Sequence, residues 1–278
     1  MDQTFSLGWL PQLPDIRDYT VDHPEIAALL AKTPLKSTTA LPTTVDLRQW
    51  CSPIENQGSI GSCTAHTAVG LMEYFERKTY GKYVDASRLF VYKTTRKLMH
   101  RTGDVGGYLR VAMRALVMFG APPEEFYPYD VAKFDEEPPA FCYALAANYK
   151  AIKYFRLDPL GSTKANVLNQ IKTFAAAGMP SMFGFSIYQS AYSATGGKIP
   201  FPTTGDSLVG GHAVNVVGYD DSLQIGSTTG AFLIRNSWGT SWGMSGYGWL
   251  PYDYVLKGLA TDFWAIQSAT WVDPNEFR

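Results

Sequence analysis

The sequence predicts an α+β protein of two lobes, because helical signals fill the first half of the 278-residue chain and strand signals the second. The clearest helix runs from Cys63 to Lys78, where Ala65, Ala68, Val69, Met72 and Phe75 form one apolar stripe at helical spacing. Beyond about residue 150, Met182-Phe183-Gly184-Phe185, Ala213-Val214-Asn215-Val216-Val217 and Phe232-Leu233-Ile234 are short apolar runs bounded by Gly, Asp, Asn or Ser, the signature of strands.

The remaining elements follow in order. Leu10-Pro11-Gln12-Leu13-Pro14-Asp15 is too rich in proline for a helix, and a short amphipathic helix is expected from Pro24 to Lys32. Thr33 to Pro42 reads as a linker or strap. Residues 1–40 are therefore expected to form a separate N-terminal strap or short prosegment, and residues 41–278 the main domain. Asn56-Gln57-Gly58-Ser59-Ile60-Gly61-Ser62 is loop chemistry, which puts Cys63 at a helix N-terminus. A second helix is expected after a cap at Asp85, running towards Lys97, and a third after Gly106-Gly107. Pro122, Pro123 and Pro128 then break the chain. One further helix, about Lys164 to Ala177, interrupts the strands. These assignments give a mainly helical lobe over about 46–148, a mainly β lobe over about 149–255, and a C-terminal segment returning across both.

Composition excludes several classes. With 46% hydrophobic residues, 14% aromatic residues and 25 glycines the chain is a turn-rich globular protein rather than a disordered one. Its formal net charge of -1 gives no reason to expect nucleic acid or an anionic membrane as partner. No run approaches the roughly 18 apolar residues of a membrane helix. Met1-Asp2-Gln3-Thr4 shows neither the basic nor the apolar region of a signal peptide, which leaves the compartment open. Three cysteines, Cys51, Cys63 and Cys142, allow at most one intramolecular disulfide, and free thiols are expected. No metal-ligand spacing and no complete Gly-x-Ser-x-Gly elbow occur, so neither a metal nor a serine hydrolase fits, and no cofactor is expected.

Three dispersed residues carry candidate chemistry. A thiol at a helix N-terminus meets the positive end of the dipole and unpaired N–H groups, which favour thiolate. His212 stands at the entry to a buried strand and Asn236 at the end of the next apolar run, so adjacent strands could join a base to an orienting amide. Taken alone, each is more often a core residue. His66, one turn after Cys63, is a rival base, but a structural role is expected because a base on the same helix need not line a cleft.

In combination the segments resemble the papain family of cysteine peptidases. Gln57-Gly58-Ser59-Ile60-Gly61-Ser62-Cys63 is similar to its nucleophile segment, and Gly210-Gly211-His212-Ala213-Val214 to its histidine segment. Asn236-Ser237-Trp238-Gly239-Thr240-Ser241-Trp242-Gly243 with Gly246-Tyr247-Gly248 is similar to its asparagine segment, and Gly103-Asp104-Val105-Gly106-Gly107-Tyr108 to its substrate-binding glycine pair. Val45-Asp46-Leu47-Arg48 and Tyr127-Pro128-Tyr129 add two more, all in family order across about residues 41–250. The Cys63-to-His212 separation is 212 − 63 = 149 residues, inside the roughly 130–150 expected. Asn236 lies slightly far, 236 − 63 = 173 residues on, for which a longer hairpin loop at Asp220 to Gly230 is the expected cause.

The resemblance implies a two-lobe papain-like fold with the active-site cleft between a helical lobe and a β-barrel-like lobe. It implies a Cys63 thiolate paired with His212 imidazolium, Asn236 orienting the ring under Trp238, and an oxyanion hole from the Gln57 amide and the Cys63 backbone N–H. Gly106 and Gly107 would pair with an extended polypeptide substrate, Trp242 would lie near the primed side, and Tyr108, Leu109, Gly184, Gly210, Gly211 and Ala213 would surround the main side-chain pocket. Those residues are apolar or small, so an apolar side chain is expected two residues before the cut. The glycine-rich stretch from Gly196 to Gly211 is expected to narrow one end of the cleft at most. Ile60 and Asp104 stand where the family commonly has a disulfide, and Thr64 where it often has an aromatic. Residues 1–40 are too short for the family's helical prosegment and imply either a reduced inhibitory strap, using Trp9, Leu10 and the Pro14-to-Tyr19 stretch, or a permanent arm. A monomeric endopeptidase is the expected function, with a silent papain-fold binding module or another thiol acyl-transfer enzyme (transpeptidase or amidase) as alternatives.

Overall fold

A computed structural model of the protein describes residues 5–31 and 40–269. The expected linker from Thr33 falls mostly at 32–39, and the last residues, 270–278, also lie outside the described part. The helical lobe is built from α2 (Cys63–Tyr80), α3 (Arg88–Leu98) and α4 (Leu109–Met118), with a short α5 (Ala140–Ala146) behind them. α3 starts later than the sequence suggested. Its cap is Ser87, whose hydroxyl accepts from Phe90 N–H at 3.2 Å, while Asp85 instead pairs with Arg88 at 2.7 Å.

In the second lobe a seven-stranded antiparallel sheet runs in the order β2 (Ala151–Arg156), β7 (Ala260–Ala269), β3 (Ser181–Tyr188), β4 (Leu208–Ile225), β5 (Thr228–Arg235) and β6 (Tyr247–Pro251), with β1 (Thr44–Asp46) pairing β4 off that path. α6 (Lys164–Ala176) and the short α7 (Asp253–Leu256) cover one side. This mixture is α+β, as the sequence indicated. The insertion between His212 and Asn236 is a longer hairpin, as expected, and most of it is paired ribbon. β4 continues to Ile225, turns at Gly226, and pairs back as Gln224 with Thr229 after a bulge near Asp220. β7 was not legible as a strand, and it closes the middle of the sheet by pairing with both β2 and β3.

The N-terminal segment is part of the architecture. α1 (Pro24–Leu30) buries Ile26 and Leu30 in the β-lobe core, and Lys153 on β2 holds its Glu25. Tyr19 C=O accepts from Arg156 N–H at 2.7 Å, so the segment also docks along β2.

α2 connects the lobes. Asn215 Nδ2 on β4 donates to Thr67 C=O at 3.0 Å, and Glu73 is wholly buried against Ser52 Oγ, Ala86 N–H and the Arg88 guanidinium at 2.9 Å. Removing one partner of a buried ion pair leaves an uncompensated charge in low dielectric. Arg88→Met is therefore expected to cost about 3–5 kcal/mol of stability, read as a lower midpoint in urea denaturation.

Candidate active site

Cys63 is the first residue of α2 and is fully buried. The preceding loop is fixed from three sides. Gln57 N–H donates to Ser237 C=O at 2.9 Å, Gly61 N–H to Asp104 Oδ1 at 2.9 Å, and Tyr129 hydroxyl to Gln57 C=O at 2.9 Å. Asp104 also accepts from Tyr92, whose oxygen takes Gly106 N–H at 3.1 Å. A hydrogen-bonded carboxylate thus ties the nucleophile loop to the glycine segment where the family commonly has a disulfide.

β4 and β5 pair with Asn215 opposite Arg235, which places His212 and Asn236 side by side. His212 Nε2 lies 2.7 Å from Asn236 Oδ1. That oxygen can only accept, so Nε2 carries the proton and Nδ1 of the neutral ring is the basic nitrogen. Nδ1 is buried and has no hydrogen-bond partner among the described residues. The indole of Trp238 stacks on the ring at 4.4 Å, itself backed by Trp242 at 5.4 Å. Ala213, next to His212, lies in one buried cluster with Cys63, which brings β4 against the start of α2.

The Gln57 amide completes the group. Its Oε1 accepts from Ser237 Oγ at 2.7 Å, which turns Nε2 towards the cleft. Nε2 then donates to Ser6 C=O at 3.0 Å, and Ser6 belongs to the N-terminal strap. The strap runs on through the cleft. Phe5 stacks on Trp238 at 4.5 Å, Gly8 and Trp9 N–H both donate to Gly211 C=O, Gly107 N–H donates to Gly8 C=O at 2.8 Å, and Leu10 N–H returns to Gly107 C=O at 3.0 Å. Trp9 therefore bridges Gly107 in a parallel sense. At Gly8 the approach is so close that a Cβ would lie 1.9 Å from Gly61 C=O.

Burial decides the charge state beneath this cover. Desolvation pushes the Cys63 thiol up to about 12 and His212 down to about 4, so burial beneath the strap works against the ion pair that the resemblance implies. His66 also sits buried, its Nδ1 against Ser62 and its ring edge-on to Tyr129, and burial lowers it to about 3.

The pocket residues are placed unevenly. Gly184 and Gly211 lie against the Trp9 side chain, and Ala213 shares its buried cluster; Gly210 faces Leu7; Gly106 faces the Gly8 carbonyl. Tyr108 precedes α4 and is half-buried, Leu109 is wholly buried, and Trp242 is a buried support for Trp238 rather than an open surface. Beside these apolar or small residues stands one carboxylate, Asp262, whose Oδ2 accepts from Trp9 Nε1 at 3.2 Å. Sequence reasoning missed Asp262 and Ser237. The lone acid inside the apolar run Thr261-Asp262-Phe263-Trp264 was the signal for the first. Among the described residues no group of three His, Cys, Asp or Glu is placed to hold a metal, and no helix is long and apolar enough to cross a membrane.

A thiol at the start of the central helix and, on the neighbouring sheet, a histidine bonded to an asparagine amide fit a cysteine peptidase of papain-like fold. Residues 41–262 match the family model of the papain family cysteine proteases, and the chain belongs to that family. It is 31% identical to an uncharacterized peptidase C1-like protein of Acanthamoeba polyphaga mimivirus, across 98% of this chain and 92% of that one. The crystal structure of xylellain, a cysteine protease from Xylella fastidiosa, superposes with a TM-score of 0.76 at 33% identity, covering 98% of each chain. proCathepsin B S9 from Trypanosoma congolense shares the fold at 19% identity, with a TM-score of 0.65 over 94% of this chain and 86% of that one.

A neutral, covered thiol reacts through a thiolate fraction that grows tenfold per pH unit. Alkylation of Cys63 by iodoacetamide in the full chain, followed by mass spectrometry, is expected to rise steadily from pH 6 to pH 10. A rate already level at pH 6 would mean that the ion pair exists beneath the strap.

Proposed function

We propose that the chain is a cysteine endopeptidase held latent by its own N-terminal strap. One observation carries both halves of this reading, namely the Gln57 amide bonded to the Ser6 carbonyl beside the Cys63–His212–Asn236 group. In a peptidase that amide faces the oxygen of the carbonyl under attack, and here the strap's own carbonyl fills the position.

Once the strap leaves, water reaches the cleft and the desolvation that keeps the pair neutral is relieved. The Cys63 proton passes to His212 Nδ1, the free basic nitrogen, while Nε2–H stays on Asn236. The thiolate attacks a peptide carbonyl, and the Gln57 amide with the Cys63 backbone N–H stabilises the oxyanion. His212 returns its proton to the leaving amine, then activates water to release the acyl-enzyme. Substrate would lie extended against Gly107 and Gly211, whose backbone groups already pair with the strap. The strap occupies the cleft on both sides of the nucleophile, with Phe5 at Trp238 and Leu10 at Gly107, which supports internal rather than terminal cleavage.

A methyl group at Gly8 separates strap from site. α1 contributes to the core, so deleting residues 1–40 would unfold more than the cleft, whereas Gly8→Ala clashes first where the strap crosses Gly61. Overpacking of this kind costs about 1–3 kcal/mol, enough to open the strap roughly tenfold more often. Turnover of an internally quenched peptide is expected to rise at least that much in Gly8→Ala, to vanish in Gly8→Ala with Cys63→Ala, and to fall about 100-fold in kcat in Gly8→Ala with Gln57→Ala. Undiminished cleavage without Cys63 would refute the peptidase assignment, and unchanged turnover in Gly8→Ala would refute the latency.

A further inference from the structure

We propose that one fixed water molecule behind the catalytic group joins His66 on α2 to Arg235 on β5, and that through it His66 acts as a positioning residue for Cys63, His212 and Asn236. The inference deepens the peptidase reading above and rests on it for the positioning role, whereas the water site stands on geometry alone.

His66 lies one turn after Cys63 and is only 4% exposed. Its Nδ1 stands 3.2 Å from Ser62 C=O, which can only accept, so Nδ1 carries the proton and Nε2 of the neutral ring keeps a lone pair. That Nε2 is buried with no hydrogen-bond partner among the described residues. Arg235, 6% exposed, has the opposite defect. Its Nη2 donates to Ser52 Oγ at 2.9 Å and Pro53 C=O at 2.6 Å, but its buried Nε–H finds no acceptor among the described residues. Both side chains line one cavity of about 10 Å³, shared with Glu55, Thr67, Asn215 and Asn236, and that is the least volume that takes a single water. Of these residues all but Glu55 are buried. Buried polar atoms are seldom left unpaired, so an orphan acceptor and an orphan donor on one cavity specify its occupant.

That occupant must donate to His66 and accept from Arg235. A metal cation would satisfy the imidazole but stand beside a guanidinium, and a halide would satisfy the guanidinium but leave the Nε2 lone pair unmet. Water does both. Glu55, the one acid on the cavity, is paired with Arg88 at 3.2 Å and offers the second O–H an acceptor. The imidazole then spans the two halves of the site. At one edge it meets Ser62, the residue before Cys63, whose Oγ lies 2.5 Å from the Tyr129 hydroxyl that donates to Gln57 C=O. At the other it meets, through the water, Arg235, the residue before Asn236. Ser62 C=O already accepts from Ala65 N–H at 3.0 Å and His66 N–H at 3.1 Å, so the ring is needed at its Nε2 edge more than at Nδ1.

Two variants separate the ring nitrogens. Asparagine puts its amide N–H₂ near the place of Nδ1 and has nothing at Nε2, whereas glutamine reaches the cavity with Oε1 as the acceptor. In the Gly8→Ala chain, kcat for an internally quenched peptide is expected to fall about tenfold in His66→Asn with KM within about twofold, because a displaced base costs rate rather than binding. In His66→Gln kcat should stay within about threefold of its parent. A crystal structure of the full chain, which needs no variant, is expected to show one water oxygen about 2.7–3.2 Å from both His66 Nε2 and Arg235 Nε. Undiminished kcat in His66→Asn, an equal loss in both variants, or an ion or no ordered oxygen between the two side chains would each overturn the proposal. A water in place with no peptide turned over, by the Gly8→Ala chain or the unaltered one, would instead refute the peptidase reading and the positioning role with it, leaving the water site intact.

Discussion

The hydrogen bond from His212 Nε2 to Asn236 Oδ1 depends on one register, with Asn215 of β4 opposite Arg235 of β5. A slip of one residue would turn each of these side chains to the other face of the sheet, so the base, its amide and the stacked Trp238 are fixed together or not at all. The same strand places Ala213 in one buried cluster with Cys63 and supplies the Asn215 amide to α2 and the Gly211 carbonyl to the strap. β4 is therefore where the helical lobe, the β lobe and the N-terminal segment meet, and its central position between β3 and β5 makes it the hardest strand to displace.

In the proposed reading, latency and catalysis draw on the same groups in opposite electrostatic states. Under the strap, burial favours the uncharged form of both Cys63 and His212. Exposure to water favours the charged forms. On that reading, covering the site both obstructs a substrate and disfavours the reactive thiolate. The strap achieves this with backbone contacts and few side chains, and Gly8 is the point of closest approach, where the nucleophile loop leaves no volume for a Cβ. α1 and Tyr19 anchor the segment to the β lobe away from the cleft, so on the proposed reading the covering stretch stays tethered at high local concentration.

Much of the site was legible in advance because its parts are short, local and chemically distinctive. The loop before Cys63 announces a helix start, the glycines flanking His212 and the Asn236-Ser237-Trp238 turn mark strand ends, and their order along the chain resembles one family throughout. Where sequence reasoning fell short, the determining partner was remote. Asp85 looked like the cap of α3 until Ser87 took the role, because Arg88 draws Asp85 aside. Asp104 looked like a lost disulfide partner, and it proves to be the acceptor that ties Gly61 to Tyr92.

By itself, the sequence determined the α+β class, the helix that presents Cys63, and the identity of the residues able to act as nucleophile, base, amide and oxyanion donor, since these follow from local periodicity and side-chain chemistry. Tertiary structure alone decided that the N-terminal strap threads the cleft, that burial beneath it disfavours charge on Cys63 and His212, and that a carboxylate meets the Trp9 indole. Each of those depends on burial and on contacts between residues as much as 253 positions apart, and neither solvent exclusion nor proximity is written in a residue's neighbours along the chain.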